Sequence, residues 1–88
     1  MKSENREAEL LKVAGGLIMI VDDDPQIHEA IRLVLPRKFE VVSVTDGGVF
    51  LDMAESYHPD LIIMDVHLRG YNGFDLCKRL RKKPDHRP

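Results

Sequence analysis

Leu17-Ile18-Met19-Ile20-Val21-Asp22-Asp23-Asp24-Pro25 joins five apolar residues to three consecutive carboxylates and a proline. The apolar run is too short for a helix of its own and reads as a central strand covered on both faces. A second stretch, Leu61-Ile62-Ile63-Met64, ends in the same way on Asp65. In a parallel sheet fed by crossover helices, strand C-terminal ends lie along one edge, so acids at two such ends converge where the strand order reverses. Clustered carboxylates repel one another. A hard cation that prefers oxygen ligands, such as Mg²⁺, lets them all stay ionised.

Working outward, Asp24 can cap a helix and Pro25 fits its first turn, while Ile27, Ala30, Ile31, Val34 and Leu35 keep the 3.6-residue period until Pro36. Phe39 to Val44 is β-branched and apolar and predicts a second strand. Asp46-Gly47-Gly48 then turns the chain into a helix containing Val49, Phe50, Met53 and Ala54, closed by His58-Pro59. A third strand is expected from Asp60 to Asp65, then a loop from His67 to Gly73, then a helix with Phe74, Leu76, Cys77 and Leu80 inward. The pattern is βαβαβα. Upstream, residues 1–16 form a leader expected to be helical, with Ser3 as N-cap and Gly15-Gly16 as stop; residues 17–88 form the domain.

The 88 residues, 43% of them hydrophobic, suit one small domain. Such a domain buries only about 60–65% of its unfolded surface, so its core is thin. Thirteen basic and fifteen acidic residues give a net charge of −2. No global field therefore recruits nucleic acid or an anionic membrane, and neither is an expected partner. A single cysteine, Cys77, excludes an internal disulfide and is expected to face the core. No apolar run approaches the roughly 18 residues of a membrane span, and the N-terminus does not read as a secretory signal. The expected compartment is the cytoplasm. His28, His58 and His86 lack metal-site spacing and read as surface or loop residues, and the basic run from Lys78 to Lys83 reads as a solvated helix end.

Ile18-Met19-Ile20-Val21-Asp22-Asp23-Asp24-Pro25, Asp46-Gly47, Pro59-Asp60-Leu61-Ile62-Ile63-Met64-Asp65 and Asn72-Gly73-Phe74-Asp75-Leu76 together resemble the receiver domain of two-component response regulators. Order and spacing match over residues 17–83. The resemblance implies an α/β fold, a flavodoxin-like doubly wound parallel sheet whose present part has strand order 2-1-3. It implies that Asp65 is the phosphoacceptor, attacking a phosphohistidine on a histidine kinase or phosphotransfer protein. It also implies a Mg²⁺ site made by Asp22, Asp23, Asp65 and the backbone carbonyl of His67; the His67 imidazole is not implied. Phosphoryl transfer needs charge neutralisation and in-line positioning more than acid–base groups, which agrees with this residue set.

The sequence departs from the family in three ways. Receivers carry a fourth strand ending in Ser or Thr and a fifth with an aromatic switch residue and a lysine; these strands are absent, so a receiver truncated after its third helix is expected. Arg69 stands where the family usually has proline, and Asn72 where it usually has aspartate. Truncation would leave the third strand as an unpaired edge, with pairing of two copies through it as an expected consequence. The leading functional reading is a Mg²⁺-dependent phosphoacceptor module, not an enzyme. Its rival is a non-switching fragment that docks on a histidine kinase or another receiver. A third reading takes the Asp22-x-Asp24 pattern as that of a haloacid-dehalogenase-type phosphatase, although Gln26 stands where that class expects a small hydroxyl residue.

Overall fold

The first strand, β1 (Leu17–Val21), lies between β2 (Glu40–Val44) and β3 (Leu61–Met64) in a three-stranded parallel sheet of order 2-1-3. A computed structural model describes residues 16–83; the expected leader helix and the segment after Lys83 fall largely outside this span. Parallel neighbours require crossovers, and helices α1 (Pro25–Val34) and α2 (Phe50–Tyr57) provide them. The chain moves one way from β1 to β2 and the other way from β2 to β3. Right-handed crossovers therefore put α1 and α2 on opposite faces. The last helix, α3 (Gly73–Arg81), contacts α2, and Lys83 beyond it pairs with Glu55 of α2.

The alternation of side chains along β1 builds both layers. Met19 and Val21 join Val44, Phe50, Ala54, Leu68, Leu76 and Leu80 in one buried cluster under α2 and α3. Ile18 and Ile20 are equally buried on the other face. Both predicted faces of the central strand are thus covered, as its unbroken apolar run requires. Asp24 caps α1 by accepting from the Gln26 N–H at 2.9 Å, with Pro25 at the first helical position. The second crossover enters through a 3₁₀ turn, Gly47–Val49, capped by Asp46. Its helix ends at His58, whose left-handed backbone (φ 50°) returns an N–H to the Ala54 carbonyl.

Three expectations change. The predicted loop after Asp65 is a small antiparallel hairpin, β4 (His67–Leu68) and β5 (Tyr71–Asn72), turned by Gly70 at φ 79°. Along α1 the face toward the sheet is His28, Ile31 and Leu35, with His28 buried, whereas Ile27, Ala30 and Val34 of the same apolar stripe are exposed. On α3 the inward stripe is Gly73, Leu76, Cys77 and Leu80, while Phe74 is 64% exposed. Phe74 stands two residues, about 200° of helical rotation, from Leu76. No helix of the described residues is long and apolar enough to cross a membrane.

Phe50 is fully buried at the centre of the main cluster. Phe50→Ala is expected to cost about 3–5 kcal/mol, a large part of the ~5–15 kcal/mol that stabilises an ordinary domain. Urea denaturation followed by circular dichroism should show the midpoint collapse, and Phe50→Leu should lose less.

Candidate functional site

The strand registers carry the acids to one place. Val21 is level with Val44 on one side and Met64 on the other. The next N–H groups continue the ladders: Asp22 donates to the Val44 carbonyl at 3.0 Å, and Asp65 to the Val21 carbonyl at 2.9 Å. Asp22, Asp23 and Asp65 each offer a carboxylate oxygen, and these oxygens all lie within 4.8 Å of one another. All three residues are half-buried. Asp24 stands apart from this group, exposed and occupied as the α1 cap.

Backbone amides hold the acids. Asp22 Oδ1 accepts from the Asp24 N–H at 2.9 Å, and Asp65 Oδ1 from the His67 N–H at 3.1 Å. Asp23 Oδ2 accepts from the Arg69 N–H at 2.9 Å, across 46 positions of sequence. These amides orient the three carboxylates. A cleft of about 400 Å³ opens beside Asp23, lined also by Pro25, Thr45, Asp46, Gly47 and Arg69.

The flanking turns are packed to backbone contact. Tyr71 lies across the 3₁₀ turn so closely that a Cβ on Gly47 would stand 2.9 Å from its ring, and one on Gly48 2.8 Å from its hydroxyl. A Cβ on Gly73 would stand 2.5 Å from the Asp65 carbonyl oxygen. Gly73 also donates its N–H to the Val66 carbonyl at 2.8 Å, and Asn72 caps α3 by accepting from Phe74 and Asp75. The helix start is thereby pinned to the backbone that carries Asp65.

This arrangement of acids, sheet and turn agrees with known proteins. Residues 18–88 match the family described as the response regulator receiver domain. The chain belongs to that family. Over 65 residues, 73% of its length, this receiver is 38% identical to the DNA-binding response regulator MtrA of Mycolicibacterium smegmatis, covering 28% of that protein. It is 33% identical over 66 residues to the response regulator GraR of Staphylococcus aureus, covering 74% of this chain and 30% of GraR. The receiver therefore spans less than a third of the length of these relatives. Among solved structures, a protein described as a response regulator from Chloroflexus aurantiacus superposes with a TM-score of 0.75 at 38% identity, over 81% of this chain and 59% of that one.

The predicted residues Asp22, Asp23 and Asp65 are brought together in this receiver, and His67 follows with its N–H on Asp65. The expectation that His28 is a surface or loop residue is overturned, because it lies within α1 on the face toward the sheet. It is buried, and its Nε2 donates to the Asp22 carbonyl oxygen at 2.7 Å; among the described residues Nδ1 has no hydrogen-bond partner. Its spacing with Ile31 and Leu35 was the available signal. The Arg69 amide was missed as well, because a backbone group leaves no mark in residue type. Gly70 between Leu68 and Tyr71 could have revealed the hairpin that presents it.

Gly73→Ala sets a small helix-propensity gain, at most about 1 kcal/mol, against overpacking that costs about 1–3 kcal/mol. The obstacle at 2.5 Å is backbone rather than a flexible side-chain end, so the cost wins. A lowered denaturation midpoint, with shifted amide resonances at Asp65 and Val66, is the expected outcome.

Proposed function

We propose that this chain is a phosphoacceptor receiver module of a two-component phosphorelay, with Asp65 as the acceptor and Mg²⁺ as its cofactor. One observation supports this reading above the others: Asp65 closes β3 beside Asp22 and Asp23, their oxygens within 4.8 Å of each other. The donor set suits Mg²⁺, being three carboxylates with no thiolate or imidazole among them. Asp22, Asp23 and Asp65 would hold the ion, with the backbone carbonyl of His67 as a further ligand. When bound, Mg²⁺ supplies charge neutralisation for the phosphoryl oxygens.

The chain's own residues do the rest. A carboxylate oxygen of Asp65 attacks the phosphorus of a phosphohistidine, the new O–P bond forms as the P–N bond breaks, and the imidazole leaves with the electron pair. The His67 amide holds Asp65 Oδ1, which orients the nucleophile without a general base. The proposed donor is a histidine kinase or a phosphotransfer protein, and the proposed setting is the cytoplasm. The module stores a phosphoryl group rather than turning over a substrate. The docking-fragment alternative needs no carboxylate at position 65 and leaves the gathered acids without a purpose. The phosphatase reading needs Asp24 in the site, whereas its carboxylate caps α1.

A second copy of the chain is also a proposed partner. Among the described residues the outer edge of β3 is unpaired, and Leu61 on it is 53% exposed. Such an edge is a template for another strand. Sedimentation equilibrium should show an apparent mass that rises with concentration and falls on introducing Leu61→Lys; a monomer at all concentrations would refute this partner.

Intact mass after incubation with acetyl phosphate tests the phosphoacceptor reading. A single phosphoryl adduct that requires Mg²⁺ and vanishes in Asp65→Asn is the expected outcome. No adduct in a sample shown to be folded would hand the case to the docking fragment.

A further inference from the structure

Between β1 and β2 the hydrogen-bond ladder advances by a regular step. Glu40 donates its N–H to the Gly16 carbonyl at 3.0 Å, Asp22 donates to the Val44 carbonyl at 3.0 Å, and β2 donates from every second residue. The N–H due at the Asp22 carbonyl is therefore that of Asp46. It does not arrive, because β2 ends at Val44 and Asp46 already caps the 3₁₀ turn. Among the described residues the donor to the Asp22 carbonyl is instead a side chain, His28 of α1, through Nε2 at 2.7 Å. His28 completes the rung that the backbone leaves open.

Two observations separate this contact from ordinary packing. His28 is 4% exposed, and among the described residues its Nδ1 is buried with no hydrogen-bond partner. Leucine would fill that space without stranding a polar atom, so packing alone does not account for an imidazole. The second observation is what the bond holds. The Asp22 carbonyl and the Asp23 N–H belong to one planar peptide unit, which joins the α-carbons of two of the three clustered acids. The preceding peptide is already fixed through the Asp22 N–H on Val44. Holding the carbonyl sets the tilt of the next plane, and with it the direction in which Asp23 leaves the backbone.

We propose that His28 is a positioning residue for the acidic centre: by holding the Asp22 carbonyl it sets the relative orientation in which the Asp22 and Asp23 carboxylates receive a divalent cation. This rests on the Mg²⁺ reading above and deepens it. His28 is not itself a ligand, because the clustered donor atoms include no imidazole nitrogen. Its effect passes through the peptide that it holds.

The Mg²⁺ dissociation constant of each full-length chain is read from amide resonances during titration with MgCl₂. His28→Leu keeps the bulk and deletes the donor, and is expected to bind about tenfold more weakly, the lower end of what outer partners of metal ligands contribute. His28→Gln keeps an N–H that can serve the same carbonyl and is expected to recover most of that loss. Ile31→Ala removes packing from the same face of α1 without touching the Asp22 peptide. It is expected to lower stability and to bind Mg²⁺ as wild type does. Before any metal is added, the Asp23 amide resonance is expected to shift in His28→Leu and to return toward its wild-type position in His28→Gln.

Wild-type affinity in folded His28→Leu would overturn the proposal, as would His28→Gln binding no tighter than His28→Leu. Equal weakening in His28→Leu and Ile31→Ala would also overturn it, by reducing His28 to packing. Should His28→Leu fail to fold, wild type decides: an Nε2 resonance indifferent to MgCl₂ overturns the proposal, and one that titrates together with the Asp23 amide supports it. Folded wild type that binds no Mg²⁺ would instead sink the metal reading on which the proposal rests, a result distinguishable from the others because it precedes any variant.

Discussion

Like-charge repulsion at the C-terminal edge of the sheet is the constraint around which the described fold is arranged. Three carboxylates with oxygens inside 4.8 Å repel pairwise by about 1 kcal/mol in water. A sheet left to optimise stability alone would not place them together. The register forbids their escape, because Val21 is locked level with both Val44 and Met64 and the acids are the next residues out. Each carboxylate then accepts an amide, and hydrogen bonds to charged groups contribute about 1.5–3 kcal/mol each. The repulsion is contained by backbone donors rather than by basic side chains, which leaves the carboxylates free to meet a cation.

That containment explains the density of special residues in two short loops. Asp46, Gly47 and Gly48 make a tight turn whose bare backbone lets Tyr71 lie against it, and Gly73 lets α3 begin in contact with the Asp65 carbonyl. The hairpin between Asp65 and α3 is thus seated on one side by glycines and on the other by the Asn72 cap. The sulfur atoms of Cys77 and Met64, 3.7 Å apart, continue the packing inward from the same place. Removal of any of these contacts loosens the segment that follows the acid, whereas the three strands are stabilised by the buried cluster elsewhere.

Much of this could be read before any coordinates existed. The runs at Ile18–Val21 and Leu61–Met64 have a length and composition that suit strands, and acids directly behind both mark the edge where they meet. Asp24-Pro25 announces its helix because capping is a local interaction. What escaped the sequence depended on global orientation. The apolar stripe of α1 is wide enough for either His28-Ile31-Leu35 or Ile27-Ala30-Val34 to face the sheet, and the crossover, not the periodicity, selects the first. Phe74 misled for the same reason, being apolar beside a stripe it does not join. The β4–β5 hairpin has strands of two residues, below the length at which alternation carries information. The Arg69 amide is invisible in principle to a reading of side-chain types.

The order of the strands also has a temporal meaning. Every hydrogen bond of the three-stranded sheet joins distant segments, since Ile18 pairs with Val41 on one side and Leu61 on the other and no two of its strands form a hairpin. Loop closure must therefore precede each reward, a topology that folds slowly compared with one built on local contacts. During synthesis, β1 and its acid pair emerge well before β3, and the third carboxylate arrives only behind β3. The acidic centre accordingly cannot assemble before β3 docks. A nascent chain carries Asp22 and Asp23 as ordinary solvated acids until Met64 docks beside Val21 and converts them into a site.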